Sequence, residues 1–247
     1  MFDLNLCKSS IKEVLSVCSF NVNGNLERKL ENIDFINEFG SYDLIFFSET
    51  WSCEQNKLEL AGFDKIVKHR KKLKRAKRCS GGICIFMRKE ISKGITELKW
   101  DNFEDGLVLK FEKSFFGFEE DLFLLCCYIR PMTSTRNNLN TELDPYDIVI
   151  DKIAELFPLG ELMLLGDLNS RMSGLIDFSQ NEENENNVDF YGKQITIDDL
   201  IQNNMSIERA SEDKGVNEYG RNLATLCNAA SLLRLTDVSV QTKISGK

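Results

Sequence analysis

The chain has 247 residues, 42% of them hydrophobic, and a formal net charge of -8 from 39 acidic and 31 basic side chains. That suffices for one domain with a sizeable core, and it argues against a surface that grips nucleic acid everywhere, because phosphate contacts need lysine and arginine. No apolar run reaches the ~18 residues that span a bilayer, and Asp3, Lys8, Lys12 and Glu13 interrupt the N-terminus, so neither a membrane anchor nor a secretory leader is expected and the chain reads as intracellular.

The first apolar run, residues 14–24 (Val-Leu-Ser-Val-Cys-Ser-Phe-Asn-Val-Asn-Gly), is expected as a strand ending in Asn21 and Asn23. Residues 25–39 then place Leu26, Leu30, Ile33, Ile36 and Phe39 at spacings of three and four between Gly24 and Gly40, which predicts one amphipathic helix. A second strand follows at 42–51 (Tyr-Asp-Leu-Ile-Phe-Phe-Ser-Glu-Thr-Trp) and ends in Glu49. Strand, helix, strand in that order predicts two parallel neighbours.

Residues 52–80 lack periodicity but include a dense basic run, 68–78, in which Arg70, Lys71, Lys72, Lys74 and Arg75 are candidate contacts to a DNA backbone. A solvated loop and a nuclear-targeting signal are the alternatives for that run. Three β-rich segments come next, 82–88, 106–111 and 121–129, read as an antiparallel meander whose last strand delivers Tyr128 before Pro131. A helix is expected over 145–157, with Ile150, Ile153, Leu156 and Phe157 on one side.

Residues 162–171 (Leu-Met-Leu-Leu-Gly-Asp-Leu-Asn-Ser-Arg) repeat the opening design, an apolar strand that stops in polar residues. With a side-chain period of 2, Asp167 and Asn169 share a face. The polar stretch 172–217 is expected to be a long surface loop with short helical pieces such as 197–202. A third helix over 219–233, with Leu223, Leu226, Cys227 and Ala230 inward, and a β-like run at 235–243 complete the reading. Were the three polar-ended strands side by side, one sheet rim would collect Asn21, Asn23, Glu49, Asp167 and Asn169, an oxygen-rich set suited to Mg²⁺.

Cys7, Cys18, Cys53, Cys79, Cys84, Cys126, Cys127 and Cys227 show no paired spacing, and several fall in apolar runs, so buried free thiols in a reducing compartment are expected. The single histidine, His69, has no Cys-x-x-Cys beside it, and no zinc site is expected.

Phe20-Asn21-Val22-Asn23-Gly24, Ser48-Glu49-Thr50-Trp51, Tyr128-Ile129-Arg130-Pro131 and Gly166-Asp167-Leu168-Asn169-Ser170-Arg171 stand in the order and spacing of the endonuclease/exonuclease/phosphatase superfamily. Within it the chain most resembles the apurinic-type endonuclease domain of non-LTR retrotransposons. The likeness takes in Arg78-Cys79-Ser80-Gly81-Gly82, Lys113-Ser114-Phe115-Phe116-Gly117 and Gly220-Arg221-Asn222-Leu223, and so nearly the whole chain from about Val14 onward.

The resemblance implies a four-layer α/β sandwich, two mainly antiparallel or mixed sheets packed face to face with helices outside. It implies hydrolysis of DNA phosphodiesters with Mg²⁺, or alternatively Mn²⁺, as in target-site nicking by retrotransposons. Carried over by position, Glu49 is the main metal ligand with Asn21 and Asn23 beside it. Asp167 aligns or activates the attacking water, Asn169 bonds the phosphoryl group, and Tyr128 contacts the phosphate. Arg171 and Arg221 support the surrounding loop and helix, and Arg130 stands where relatives often have proline.

The family's final strand with its Ser-x-x-Asp pattern and its Ser-Asp-His segment are not found in the sequence. The single domain is therefore expected to be incomplete at its C-terminus, missing its last strands, with little or no turnover. Each site residue also has a plainer reading: strand-end acid for Glu49, turn formers for the Asn and Asp residues, half-buried packing for Tyr128. Two further functions compete, a phosphatase or phosphodiesterase for a small phosphorylated or lipid substrate, and a catalytically dead remnant that binds DNA or protein. No feature of the sequence fixes an oligomeric state.

Overall fold

The computed structural model describes residues 2–5, 14–72, 76–101, 103–134, 144–177, 197–202, 213–230, 232 and 242–244. In chain order the elements are β1 (Phe2–Asn5), β2 (Val14–Asn21), α1 (Leu26–Lys29), α2 (Ile33–Phe39), β3 (Leu44–Ser48), β4 (Phe63–Lys68), β5 (Ile83–Arg88) and α3 (Lys89–Ser92). They continue with β6 (Ile95–Leu98), β7 (Gly106–Phe111), α4 (Lys113–Phe116), β8 (Leu122–Tyr128), α5 (Pro145–Leu156), β9 (Glu161–Asp167), α6 (Ile197–Gln202), α7 (Glu218–Ala229) and β10 (Thr242–Ile244). Among the described residues no helix is long and apolar enough to cross a membrane.

Two sheets result, one ordered β10-β1-β2-β3-β5-β4 and the other β6-β7-β8-β9. β2 and β3 run parallel with Asn21 opposite Ser48, and β8 and β9 run parallel with Tyr128 opposite Asp167. All described residues of β3 and β8 are buried, which explains why both read as continuous apolar runs rather than alternating ones. Leu15, Val17, Leu44, Phe46, Ile83 and Ile85 of the first sheet pack against Leu107, Leu109, Phe111, Leu124, Cys126 and Leu165 of the second. On its other face the first sheet puts Ile45, Phe47, Cys84 and Phe86 under Leu26, Leu30 and Phe39, with the Phe39 ring edge-on to Phe47 at 5.1 Å. This is the expected α/β sandwich, two mixed sheets face to face with helices outside.

The chain falls into two compact units, Met1–Arg130 with Pro158–Leu168 and Gln241–Lys247, and Pro131–Phe157 with Asn169–Val240. Both sheets lie in the first. In the second, Asp144 caps α5 by accepting from the Tyr146 N–H at 2.7 Å, and the rings of Tyr146 and Tyr219 bring α5 and α7 together at 5.2 Å. The described parts of 172–217 include α6, whose Leu200 is buried, and the buried Met172 and Asp177.

Several expectations are corrected. The helix over 25–39 is two helices, because the Asn32 side chain accepts from the Asp34 and Phe35 N–H groups and starts α2 afresh. Ile33 is consequently 64% exposed. In α5 it is Tyr146, Ile148 and Val149 that join Ile153 and Leu156 in the interior, while Ile150 faces out. The three β-rich segments do not form one meander: β5 lies between β3 and β4 in the first sheet, and β6 takes the expected third place beside β7. β4 is an edge strand with exposed and half-buried positions, so its sequence lacks the apolar run that reveals a central strand.

Cys53 and Cys79 are joined in a disulfide, Cα atoms 6.1 Å apart, against the expectation of free thiols throughout. Their separation of 26 residues carries no sequence signal; backbone pairing of Thr50 and Trp51 with Gly82 and Gly81 brings the two loops together. Cys18, Cys84, Cys126 and Cys127 are free thiols. Cys7 and most of the run at 235–243 lie outside the described residues.

Candidate active site

The sequence motifs converge where strands of both sheets end. Parallel pairing of β2 and β3 continues past the strands, with the Val22 N–H donating to the Ser48 carbonyl at 3.0 Å and the Gly24 N–H to the Glu49 carbonyl at 2.7 Å. Glu49 and Trp51 adopt left-handed backbone, φ 52° and 50°, as do Asn23 and Asn25. Asparagine tolerates that region, whereas a glutamate or tryptophan held there costs on the order of 1–3 kcal/mol and persists only where its surroundings impose it. Gly24, itself at φ 85°, leaves room for the Trp51 ring, which a Cβ would strike.

Glu49 thus leaves the pleat of β3, and its carboxylate is placed by two donors. The Tyr128 hydroxyl donates to Oε1 at 2.6 Å and the Asn21 amide nitrogen donates to the same oxygen at 3.1 Å. That amide nitrogen also donates to Asp167 Oδ2 at 2.8 Å. One NH₂ group therefore spans both carboxylates, although Asp167 arrives from the second sheet. The expectation of a single rim is corrected: Asn21 and Glu49 come from one sheet, Tyr128 and Asp167 from the other. Burial first, then the bond to Glu49, holds the Tyr128 phenol well above its ordinary pKa, so it stays a donor.

The pleat ends at Asn21 and at Asp167, so period-2 pairing with Asn23 and Asn169 does not arise. Asn23 is exposed, and its backbone N–H donates to the Asn21 side-chain oxygen at 3.0 Å. Asn169 lies in the second compact unit with φ 49°. There Asn217, which sequence reasoning missed, accepts from the Arg171 N–H at 2.9 Å and donates to the Asn169 carbonyl at 2.8 Å while capping α7. Its only signal was an N-cap residue type ahead of the third helix.

The basic run divides. Lys71 and Lys72 are exposed, while Lys74 and Arg75 lie outside the described residues. Arg70 is corrected from surface contact to interior residue: its side chain is 6% exposed, its Nε is paired with Asp105, and its guanidinium lies 5.2 Å from the Tyr128 ring centroid. Asp105 was not foreseen either. Its second oxygen accepts from Arg130 at 2.9 Å, which gives the arginine in the family's proline position a partner. His69 Nδ1 is 3.0 Å from the Ser52 hydroxyl, and among the described residues its ring bonds neither Glu49 nor Asp167.

Two carboxylates and an amide are oxygen-rich but sparse, and among the described residues no three His, Cys, Asp or Glu side chains gather as a metal cage. That donor set fits Mg²⁺ or Mn²⁺, which keep waters and take one or two carboxylates plus substrate phosphate; it does not fit Zn²⁺.

No family model and no curated protein matches the chain. Solved structures do match. The selenomethionine form of TDP2 from Caenorhabditis elegans aligns at 18% identity and TM-score 0.41, over 63% of this chain and 47% of that one. Truncated C. elegans TDP2 aligns at 16% identity and TM-score 0.43, over 73% and 80%. Humanized D. rerio TDP2 carrying 14 mutations aligns at 14% identity and TM-score 0.38, over 62% and 61%. The matched region spans about half of the first of these.

Proposed function

We propose that this chain is a divalent-metal-dependent phosphodiesterase of the endonuclease/exonuclease/phosphatase superfamily acting on DNA, with target-site nicking of the retrotransposon type as its setting. The observation that carries the reading is the sharing of one Asn21 amide nitrogen by Glu49 and Asp167, residues remote in sequence and on different sheets. The face-to-face sandwich and the meeting of these motif residues are what the superfamily resemblance implies.

In this reading Glu49 would hold the Mg²⁺ or Mn²⁺ ion, which when bound supplies positive charge against the phosphate oxygens. Tyr128 and Asn21 orient the Glu49 carboxylate through their hydrogen bonds. Asn21 donates to both acids through its amide nitrogen, and its oxygen, which accepts from the Asn23 N–H, keeps a second lone pair for the ion. Asp167, on the last residue of β9, orients the attacking water and accepts its proton. Asn169 bonds the phosphoryl group, and Lys71 and Lys72 contact the backbone phosphates.

The test is nicking of supercoiled plasmid with Mg²⁺, beside chelator and Glu49→Gln, with Mn²⁺ binding measured in parallel. Nicking is expected to be slow, because no imidazole joins the two carboxylates among the described residues, and to vanish with chelator or with Glu49→Gln. Unchanged nicking and Mn²⁺ affinity in Glu49→Gln would overturn the reading. The net charge of -8 favours one alternative, a small phosphorylated or lipid substrate; turnover of inositol phosphates or sphingomyelin without plasmid nicking would select it.

A further inference from the structure

Arg70 looks, in sequence, like part of a solvated basic run, but its surroundings are those of an interior residue. Its side chain is 6% exposed and its partner Asp105 is 2% exposed. Gly81, at φ 66°, lies against the guanidinium where any Cβ would collide with it. Asp105 also accepts the Tyr128 N–H on its backbone carbonyl at 2.9 Å. Tyr128 is therefore held at three points: its backbone by Asp105, its ring face by Arg70, and its hydroxyl by Glu49.

Stability is a poor account of this arrangement. A buried ion pair is often matched or bettered by apolar residues of similar size, and Arg70 Nη2 is buried with no hydrogen-bond partner among the described residues, an arrangement that costs rather than contributes. What the pair does supply is a cation fixed over the face of one particular phenol. Glu49 is the residue that needs it, since its left-handed backbone removes it from the register of β3 and leaves its carboxylate to Tyr128 and Asn21.

Resting on the reading of Glu49 as a metal ligand, we infer that Arg70 is a positioning residue for that ligand, acting through the Tyr128 ring and hydroxyl rather than on substrate. Asp105 holds Arg70 in place, and the planar guanidinium is required because it donates to Asp105 in its own plane while lying near the ring. Lysine, a point charge on a flexible stem, cannot do both.

The test measures binding of Mn²⁺ to the whole chain by loss of the free-ion electron paramagnetic resonance signal, a readout independent of turnover, with thermal melts to confirm folding. Supporting arms of a metal site typically contribute about 10–100-fold in affinity, so Tyr128→Phe and Arg70→Met are each expected to weaken Mn²⁺ binding by at least about 10-fold. The double variant is expected to be no weaker than Tyr128→Phe alone, because both act along one path. Arg70→Lys is expected to weaken binding several-fold and carries the test if Arg70→Met does not fold. Parent affinity in either folded Arg70 variant, or losses that multiply in the double variant, would overturn the inference. The underlying reading fails separately, if Glu49→Gln binds Mn²⁺ as the parent does.

Discussion

The carboxylate rim and the basic loop beside it are built on opposite plans. Asn21, Tyr128 and Asp167 are the last residues of β2, β8 and β9, so hydrogen-bond ladders reaching through the core set their positions. The described residues of 69–82 join no ladder and are pinned at their roots instead. Arg70 is paired with Asp105, Cys79 is bonded to Cys53, the Trp51 N–H donates to the Gly81 carbonyl at 2.8 Å, and Arg78 lies 4.3 Å over the Trp51 ring. Chemistry is assigned to rigid strand ends, while exposed charge is presented by a segment fastened next to them. Substitutions in the rim are expected to alter metal capture and spare folding, and substitutions at the Cys53–Cys79 root are expected to do the reverse; Arg70, a root that also lies against the Tyr128 ring, belongs to both plans.

Glu49→Gln is the largest break. It keeps an acceptor for the Tyr128 hydroxyl and removes the charge, so Mn²⁺ affinity and nicking are expected to fall by on the order of 100-fold or more, with urea midpoints close to those of the parent. A Glu49→Gln protein that unfolds early would show that the rim is part of the scaffold and dissolve the contrast.

Cys53→Ser comes second and probes the root. A disulfide closing a loop of 26 residues is worth about 3.5 kcal/mol, and that loss is expected in urea denaturation without reductant. Reductant should destabilise the parent by the same amount and leave Cys53→Ser unmoved; equal response of both proteins would mean that the bond does not form in solution.

The remaining thiols give the pH dependence its sign. Burial holds Cys84, Cys126 and Cys127 protonated and pushes Cys18 up to about 11. Unfolded thiols ionise at about pH 8.5, so above that pH the unfolded state sheds protons that the folded state keeps, and stability falls as pH rises. Denaturant midpoints that stay level between neutral pH and pH ~10 would contradict the burial of these groups.

Much of this contrast was legible beforehand, and the missing parts share a cause. Periodicity exposed the central strands and α5 because burial on both faces writes a continuous apolar signature, and motif order drew Asn21, Glu49, Tyr128 and Asp167 together. Partnership was not legible: nothing local says that β5 pairs with β3 rather than β7, or that Asp167 reaches Asn21 from another sheet. Arg70 was misread because charge density describes a stretch, whereas burial is decided by one residue's neighbours, here Asp105 and Tyr128. Cys53 and Cys79 were misread because pairing across 26 residues depends on loops that only the folded sheet brings together.

The smallest expected effect tests the loop's exposed side. Lys71 and Lys72 face solvent, whereas Arg70, their neighbour in sequence, does not. Each lysine that neutralises one phosphate adds about 0.9 to the slope of log affinity against log salt on duplex DNA. Lys71→Ala with Lys72→Ala is therefore expected to lower that slope by about 2 and to weaken binding at low salt across all sequences alike. Mn²⁺ capture should be untouched, since both lysines are exposed and stand outside the Asn21 and Tyr128 hydrogen bonds that place Glu49. Arg70→Met should do the opposite, weakening Mn²⁺ capture while leaving the slope unchanged, because a buried guanidinium displaces no counterions from a phosphate. Fluorescence anisotropy of a labelled duplex between about 50 and 200 mM salt separates the two. A slope that falls equally in both variants would place Arg70 on the DNA-facing surface and remove the distinction between rim and loop at its one shared residue.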